Sequence, residues 1–208
     1  MAVPQSTNSE QCYRTPGWVF EQLQQHLRQQ GLKPFALDAA ADEHNALCSA
    51  FYTEADNALA MDWAADASEL GGSVWCNPPF ATIGPWVEHA ASSAARLPSD
   101  LAVVMLLPHN VATDWYVEGA RYCETLLLTP RFAYVHPDPE RARREYEAKH
   151  PGKKWKEAAP SGSMALLFTA STARNPTPHG APLRVRHVRI LKPGSRSKGP
   201  KPFAISEQ

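Results

Sequence analysis

The run Leu101-Ala-Val-Val-Met-Leu-Leu107, closed by Pro108, constrains the fold more than any other segment of the chain. A continuous apolar stretch of this length is the pattern of a central parallel strand covered on both faces. It is far shorter than the ~20 residues that span a bilayer, and no other apolar run approaches that length. A covered parallel strand needs crossover helices, and the flanking sequence supplies them. A helix is predicted from Thr15 as N-cap and Pro16 as first helical residue, with Trp18, Val19, Leu23 and Leu27 at helical spacing and Gly31 as the stop. Phe35 to Asp38 reads as a short strand ending on a carboxylate, Asp42 to Cys48 as a brief helical turn, and Ala58 to Trp63 as a second strand. Gly71-Gly72 is a turn, Ser73 to Cys76 is a buried strand, and Asn77-Pro-Pro-Phe80 breaks it. A helix from about Pro85 to Arg96 carries Trp86, Val87 and Ala90 on one face, and a shorter one from Thr113 to Ala120 precedes a strand from Glu124 to Leu128. This alternation argues for a doubly wound α/β sheet.

Beyond Pro130 the pattern changes. Arg131 to Val135 and Ser163 to Thr169 read as strands, and Pro139 to Pro160 as an exposed, charged helix and loop. Leu183 to Leu191 alternates Arg or His with Val or Ile, which suggests an edge strand with a basic face. The chain from Pro193 is rich in Pro, Gly, Ser and Lys, and disorder is expected there. With 208 residues and 43% apolar composition, one globular domain is expected over 13–192, between a loose leader at 1–12 and a basic tail at 193–208. Met1 to Glu10 lacks the regions of a signal peptide, so the expectation is a soluble, intracellular protein. Cys12, Cys48, Cys76 and Cys123 form no CxxC pair and no metal-ligand spacing with His, so neither a zinc site nor a disulfide framework is expected. The net charge of zero hides an asymmetry: Met1 to Pro137 holds 6 Lys or Arg against 15 Asp or Glu, and Asp138 to Gln208 the reverse, 15 against 6. Such a split could set a polyanion against one side of the fold, although a solvated helix and a disordered tail explain it equally well.

The most specific segment is Asn77-Pro78-Pro79-Phe80, at the carboxyl end of a buried strand, where open α/β sheets bind ligands. Consecutive prolines fix the backbone and donate no N–H groups. The Asn77 side-chain oxygen and the Pro78 carbonyl could each accept a hydrogen from an amino group, and Phe80 could stack on a base swung out of its helix. Taken alone, a proline-rich turn is often only a strand terminator.

The wider pattern resembles S-adenosylmethionine-dependent amino-methyltransferases, and more narrowly the phage-type Dam family of DNA N6-adenine methyltransferases. The likeness runs through Tyr13-Arg-Thr-Pro16, Leu37-Asp-Ala-Ala-Ala-Asp42, Asn45-Ala-Leu-Cys48, Phe51-Tyr-Thr-Glu54 and the stretch from Asp56 to Trp63. It continues through Cys76 to Phe80, Ile83-Gly-Pro-Trp-Val87, Met105-Leu-Leu-Pro108, Thr113-Asp-Trp115, Arg131-Phe132 and Ser163-Met164. The resemblance implies a single, mostly parallel sheet of the class I methyltransferase (Rossmann-like) type, with an antiparallel strand near the C-terminus. It implies transfer of a methyl group from S-adenosylmethionine to adenine N6 in DNA, with Asn77, Pro78, Pro79 and Phe80 as the catalytic motif. Thr15 and Pro16 would line the donor's methionine moiety, and Asp38 would lie near the donor. Asp56 would bond its ribose, and Asp62 with Trp63 would cradle its adenine. The first strand is followed by Ala39-Ala-Ala41 where a glycine-rich turn is usual, and Phe80 stands where Tyr is commoner. A phage or prophage origin, action in the bacterial or infected-host cytoplasm, and protection of DNA from restriction also follow from the resemblance.

Arg131, Arg141, Arg143, Arg144, Lys153, Lys154 and Lys156 are candidates to grip DNA phosphates, as is the Arg184-Arg186-Arg189 face. The transfer is expected to be direct and in line, with no covalent enzyme intermediate and no metal, so Cys76 is not a nucleophile. The competing readings are cytosine N4 methylation, methylation of protein glutamine, and a DNA-binding protein of the same fold without catalysis. Methylated-base identification, an assay on protein without DNA, and donor affinity respectively separate them.

Overall fold

A computed structural model describes residues 14–155 and 162–194. Alternation along the central apolar strand decides the layering. In β4 (Ala102–Pro108), Val103, Met105 and Leu107 face one core layer while Ala102, Val104 and Leu106 face the other, all fully buried. The first layer is built on α2 (Trp63–Leu70), α3 (Ile83–Ala94), α4 (Asp114–Gly119) and α6 (Ala170–Arg174). The second is built on α1 (Gly17–Gln29), which contributes Val19, Phe20, Leu23 and Leu27. Each such side chain taken from water stabilises the fold by about 1.5–3 kcal/mol.

Seven strands form one sheet in the order β2-β1-β3-β4-β6-β5-β7. They are β1 (Phe35–Asp38), β2 (Ala50–Phe51), β3 (Ser73–Cys76), β4, β5 (Glu124–Thr129), β6 (Ser163–Thr169) and β7 (Val185–Arg189). The first four run parallel, β6 is antiparallel to both neighbours, and β7 pairs parallel with β5 at the edge. The mostly parallel sheet with an antiparallel strand near the C-terminus, and a basic strand at its edge, is as expected. The charged excursion holds α5 (Pro139–Lys149), which has no buried residue. Residues 1–13, 156–161 and 195–208, including the expected leader, Lys156 and most of the basic tail, lie outside the described residues.

Three expectations need correction. The second strand is Ala50–Phe51, not Ala58 to Trp63. There Asn57 takes a left-handed φ of 54°, Ala58–Ala60 forms a 3-10 turn, and the Trp63 indole N–H donates to the Ala58 carbonyl at 2.8 Å, folding the segment on itself. Asp42 to Cys48 makes the brief helical turn expected, with the Asn45 and Ala46 amides donating to the Asp42 carbonyl, and goes no further, because the Asn45 side chain accepts from the Asp42 amide and the Asp42 side chain from the His44 amide, both at 2.7 Å. Such bonds compete with helical ones. Arg131 to Val135 is not a strand; its only ladder pairing among the described residues is an antiparallel bridge between Val135 and Arg14. Finally, α1 begins at Gly17 with Pro16 as N-cap, since Pro16 is extended (ψ 131°) and its carbonyl accepts from the Val19 amide at 2.8 Å.

Candidate active site

The chain leaves β1 toward the edge strand β2, then returns through α2 to β3 on the other side of β1. The strand order therefore reverses between β1 and β3, which is where an open α/β sheet parts to form a ligand crevice. Asp38 ends β1 opposite Trp75, and Asn77 follows directly on β3. A crevice of about 20 Å³ opens there, lined by Arg14, Thr15, Asp38, Asn45, Leu47 and Asn77 among others. A larger hollow of about 420 Å³ lies between β2 and α2, where the Tyr52 hydroxyl donates to Asp66. None of Asn77, Pro78, Pro79 and Phe80 lines it.

Asp38 is 2% exposed, and burial pushes its carboxyl up to about 6. The Leu47 amide donates to one carboxylate oxygen at 3.1 Å and the Ala40 amide to the other at 3.3 Å, which offsets only part of the desolvation. The three alanines that replace a glycine-rich turn carry this geometry: the Ala39 amide donates to Trp75 and the Ala41 amide to Tyr52. Thr15 Oγ1 and Arg14 Nε are buried without a hydrogen-bond partner among the described residues.

Past Asn77, Pro78 is buried and Phe80 opens a 3-10 turn (Phe80–Thr82) that feeds α3. Phe80 is half-buried and packs against both core layers. Tyr134 meets it edge-on, with centroids 6.0 Å apart at 77°, and rests on Phe132 at 5.3 Å. The 131–135 segment is thus a strap crossing the carboxyl ends of the strands, bonded to Arg14 by two backbone bonds of 2.9 Å. Cys76 faces the first core layer, fully buried, and burial holds its thiol well above the ordinary range.

The structure brings Thr15, Asp38 and Asn77 to one crevice, with Pro16 following Thr15 in the chain and Pro78, Pro79 and Phe80 following Asn77. It does not bring in the other three donor candidates. Asp56 is exposed, its carboxylate accepting the Thr53 amide and hydroxyl, both at 2.7 Å. Asp62 caps α2 through the Ala64 and Ala65 amides and pairs with Arg96 at 2.7 Å. Trp63 is 0% exposed, packed edge-on against His89 at 4.6 Å and against Trp86 at 6.1 Å, so its ring has no free face to offer a nucleobase. Its place is in the core, where truncating a tryptophan to alanine costs about 3–5 kcal/mol.

The basic candidates divide as well. Arg131 is exposed just past the carboxyl end of β5, on the same sheet edge as Asn77. The excursion to α5 leaves and re-enters the sheet at that same end. On α5, Arg141 pairs with Glu145 at 2.7 Å and Arg143 with Glu147 at 3.1 Å. Arg144, Lys153 and Lys154 are exposed and make no ion pair with the described residues. Sequence reasoning missed Arg14 and Tyr134 as neighbours of the site; both lie beside residues it did single out, Thr15 and Arg131-Phe132. Among the described residues no group of His, Cys, Asp and Glu could hold a metal ion, and no helix is long and apolar enough to cross a membrane.

Against known proteins, the family model described as DNA N-6-adenine-methyltransferase (Dam) matches residues 4–175. A stretch of 53 residues, 26% of the chain, is 49% identical to 54% of YfdM of Escherichia coli strain K12, a protein named as a candidate methyltransferase. A stretch of 85 residues, 41% of the chain, is 32% identical to 32% of the DNA N-6-adenine-methyltransferase of Escherichia phage T1. The matches thus span about half the length of one curated relative and about a third of the other.

Proposed function

The chain belongs to the DNA N-6-adenine-methyltransferase (Dam) family, and from that premise we propose that it transfers a methyl group from S-adenosylmethionine to the N6 amino group of adenine in DNA. The observation that carries this reading is the meeting of Asp38, Thr15 and Asn77 in one crevice at the point where the strand order reverses. The crevice suits the donor's charged amino-acid end. It pairs a buried carboxylate, which favours a cation, with a buried hydroxyl that has no partner of its own among the described residues. Thr15, Pro16 and Asp38 are the residues that would hold the donor. Asp62 and Trp63 act behind them by fixing the start of α2, and Asp56 by closing the turn before it.

The donor supplies a sulfonium-bound methyl group, released to the attacking amino nitrogen. Everything else is orientation, since an exocyclic amine is a weak nucleophile. The Asn77 side-chain oxygen and the Pro78 carbonyl each accept one amino hydrogen, which draws the nitrogen lone pair out of the ring and turns it toward the methyl carbon. Pro78 and Pro79 fix the backbone that aims both acceptors. Phe80 stacks on the extruded base, and Tyr134 packs edge-on behind it. Arg131, Arg144, Lys153 and Lys154 would meet the flanking phosphates, with Arg141 and Arg143 shared with their glutamates.

Asn77→Ala tests the mechanism. It should lower the transfer rate by about 10²–10³ or more while donor affinity, measured by calorimetry, stays within about threefold. Turnover like that of the native protein would contradict the role of Asn77.

A further inference from the structure

Granting the methylation of DNA proposed above, on which this rests, we propose that α5 enters the major groove of the substrate duplex and that its Arg141–Glu145 pair reads a G·C base pair there, fixing the sequence around the methylated adenine. α5 is a helix of 11 residues, about 16 Å long, and a helix of that length is marginal in water by itself. It buries no residue, so the core does not hold it. Its supports are local: Asp138 caps it by accepting from the Arg141 amide at 2.9 Å, Pro139 opens it, and Tyr146 stacks on His150 with centroids 4.4 Å apart. A helix polar all round and kept by such bonds leaves its surface to solvent or to a partner. The excursion joins β5 to β6 at the sheet end where Asn77 follows β3, and the substrate at that end is a polyanion. Residues 138–154, the helix and the loop after it, carry six basic residues against four acidic ones, which suits such a partner. The major groove of B-DNA, about 12 Å wide, admits one α-helix.

The acidic partners decide what the helix reads. Phosphate contact calls for cations alone, and Glu145 beside Arg141 would be repelled by a phosphate. Base edges differ, because they offer donors and acceptors together. In the major groove a G·C pair presents guanine O6 and N7 as acceptors and cytosine N4 as a donor. Arg141 donates to Glu145 through Nε at 2.7 Å, and its guanidinium has two terminal nitrogens besides, a fork that matches O6 and N7. The Glu145 carboxylate, an acceptor only, matches cytosine N4. Both side chains are more than half exposed, at 58% and 53%, whereas the glutamate of the Arg143–Glu147 pair is 39% exposed. An exposed pair four residues apart adds little to stability, so turning its groups toward a base gives up little.

The experiment incubates the full chain with S-adenosylmethionine and unmethylated genomic DNA, then maps N6-methyladenine by sequencing at single-base resolution. The native protein should mark a consensus with a G·C pair at a fixed distance from the adenine. Arg141→Gln should lower the preference for that pair by about 5- to 150-fold while still methylating adenine. Arg141→Lys, which keeps the charge but not the fork, should do the same. Neither substitution removes a core contact, since α5 buries no residue. An unchanged consensus in Arg141→Gln, with methylation lowered evenly over all sites, would make Arg141 a phosphate contact and overturn the proposal. Methylation by the native protein without any consensus would overturn it too and leave the methyl-transfer reading standing. No N6-methyladenine at all from the native protein would overturn that reading and this proposal with it.

Discussion

Asp38 carries an energetic signature that a purely structural acid would not keep. Its carboxyl is raised by burial to about 6 from an ordinary 3.8, so the folded chain holds that proton more tightly than the unfolded one. The stabilising contribution is complete below the unfolded value, near pH 4, and is lost as pH rises through about 6. By neutral pH the ionised group costs the fold about 3 kcal/mol, since each tenfold change in proton affinity is worth about 1.4 kcal/mol. Asp38→Asn should therefore melt several degrees higher than the native chain at pH 8, with the gap closing toward pH 4, and should bind the donor poorly. A melting temperature that falls at pH 8 would show that the ionised carboxylate is not a burden. At this scale the sequence was partly legible. Asn77 and Asp38 stood out because chemistry-bearing residues at strand ends have few structural uses. Arg14 did not, because its meaning depends on a crevice wall 24 residues away in sequence. The orientation of Trp63 was hidden for a related reason: an acid beside an aromatic does not say which face the ring presents, and here it faces the core.

At the scale of elements, the strap and α5 were the hardest to read. Phe132 and Tyr134 alternate as in a strand, but they are buried against α1 and Phe80 without a ladder partner among the described residues, so period-two burial arose from packing alone. An eight-residue helix, α2, was hidden in an Ala-rich stretch whose start is set by the Asp62 cap. The charges of α5 and its following loop should differ in their use. Arg144→Gln with Lys153→Gln and Lys154→Gln should reduce the slope of log affinity for DNA against log salt by up to about 3, because each phosphate neutralised on duplex DNA adds about 0.9 to that slope. Arg141→Gln with Arg143→Gln should change it less, because those arginines already share their charge with Glu145 and Glu147. Equal slopes for the native chain and the triple variant, measured by titration across salt concentrations, would remove this segment from the DNA-binding surface.

For the molecule as a whole, the fold class was legible because one apolar strand required cover on both faces, and both covers exist. The strand order was not legible, since pairing between distant strands leaves no local trace. Yet that order determines the function proposed here: the reversal between β1 and β3 sets Asp38 beside Asn77, and the basic excursion leaves the sheet at the same end. The claim that this edge methylates adenine is tested most directly by incubating the purified chain with radiolabelled S-adenosylmethionine and unmethylated DNA, then digesting the DNA to nucleosides. The account predicts label in N6-methyldeoxyadenosine. Label in N4-methyldeoxycytidine, or donor binding with no label in DNA at all, would contradict it.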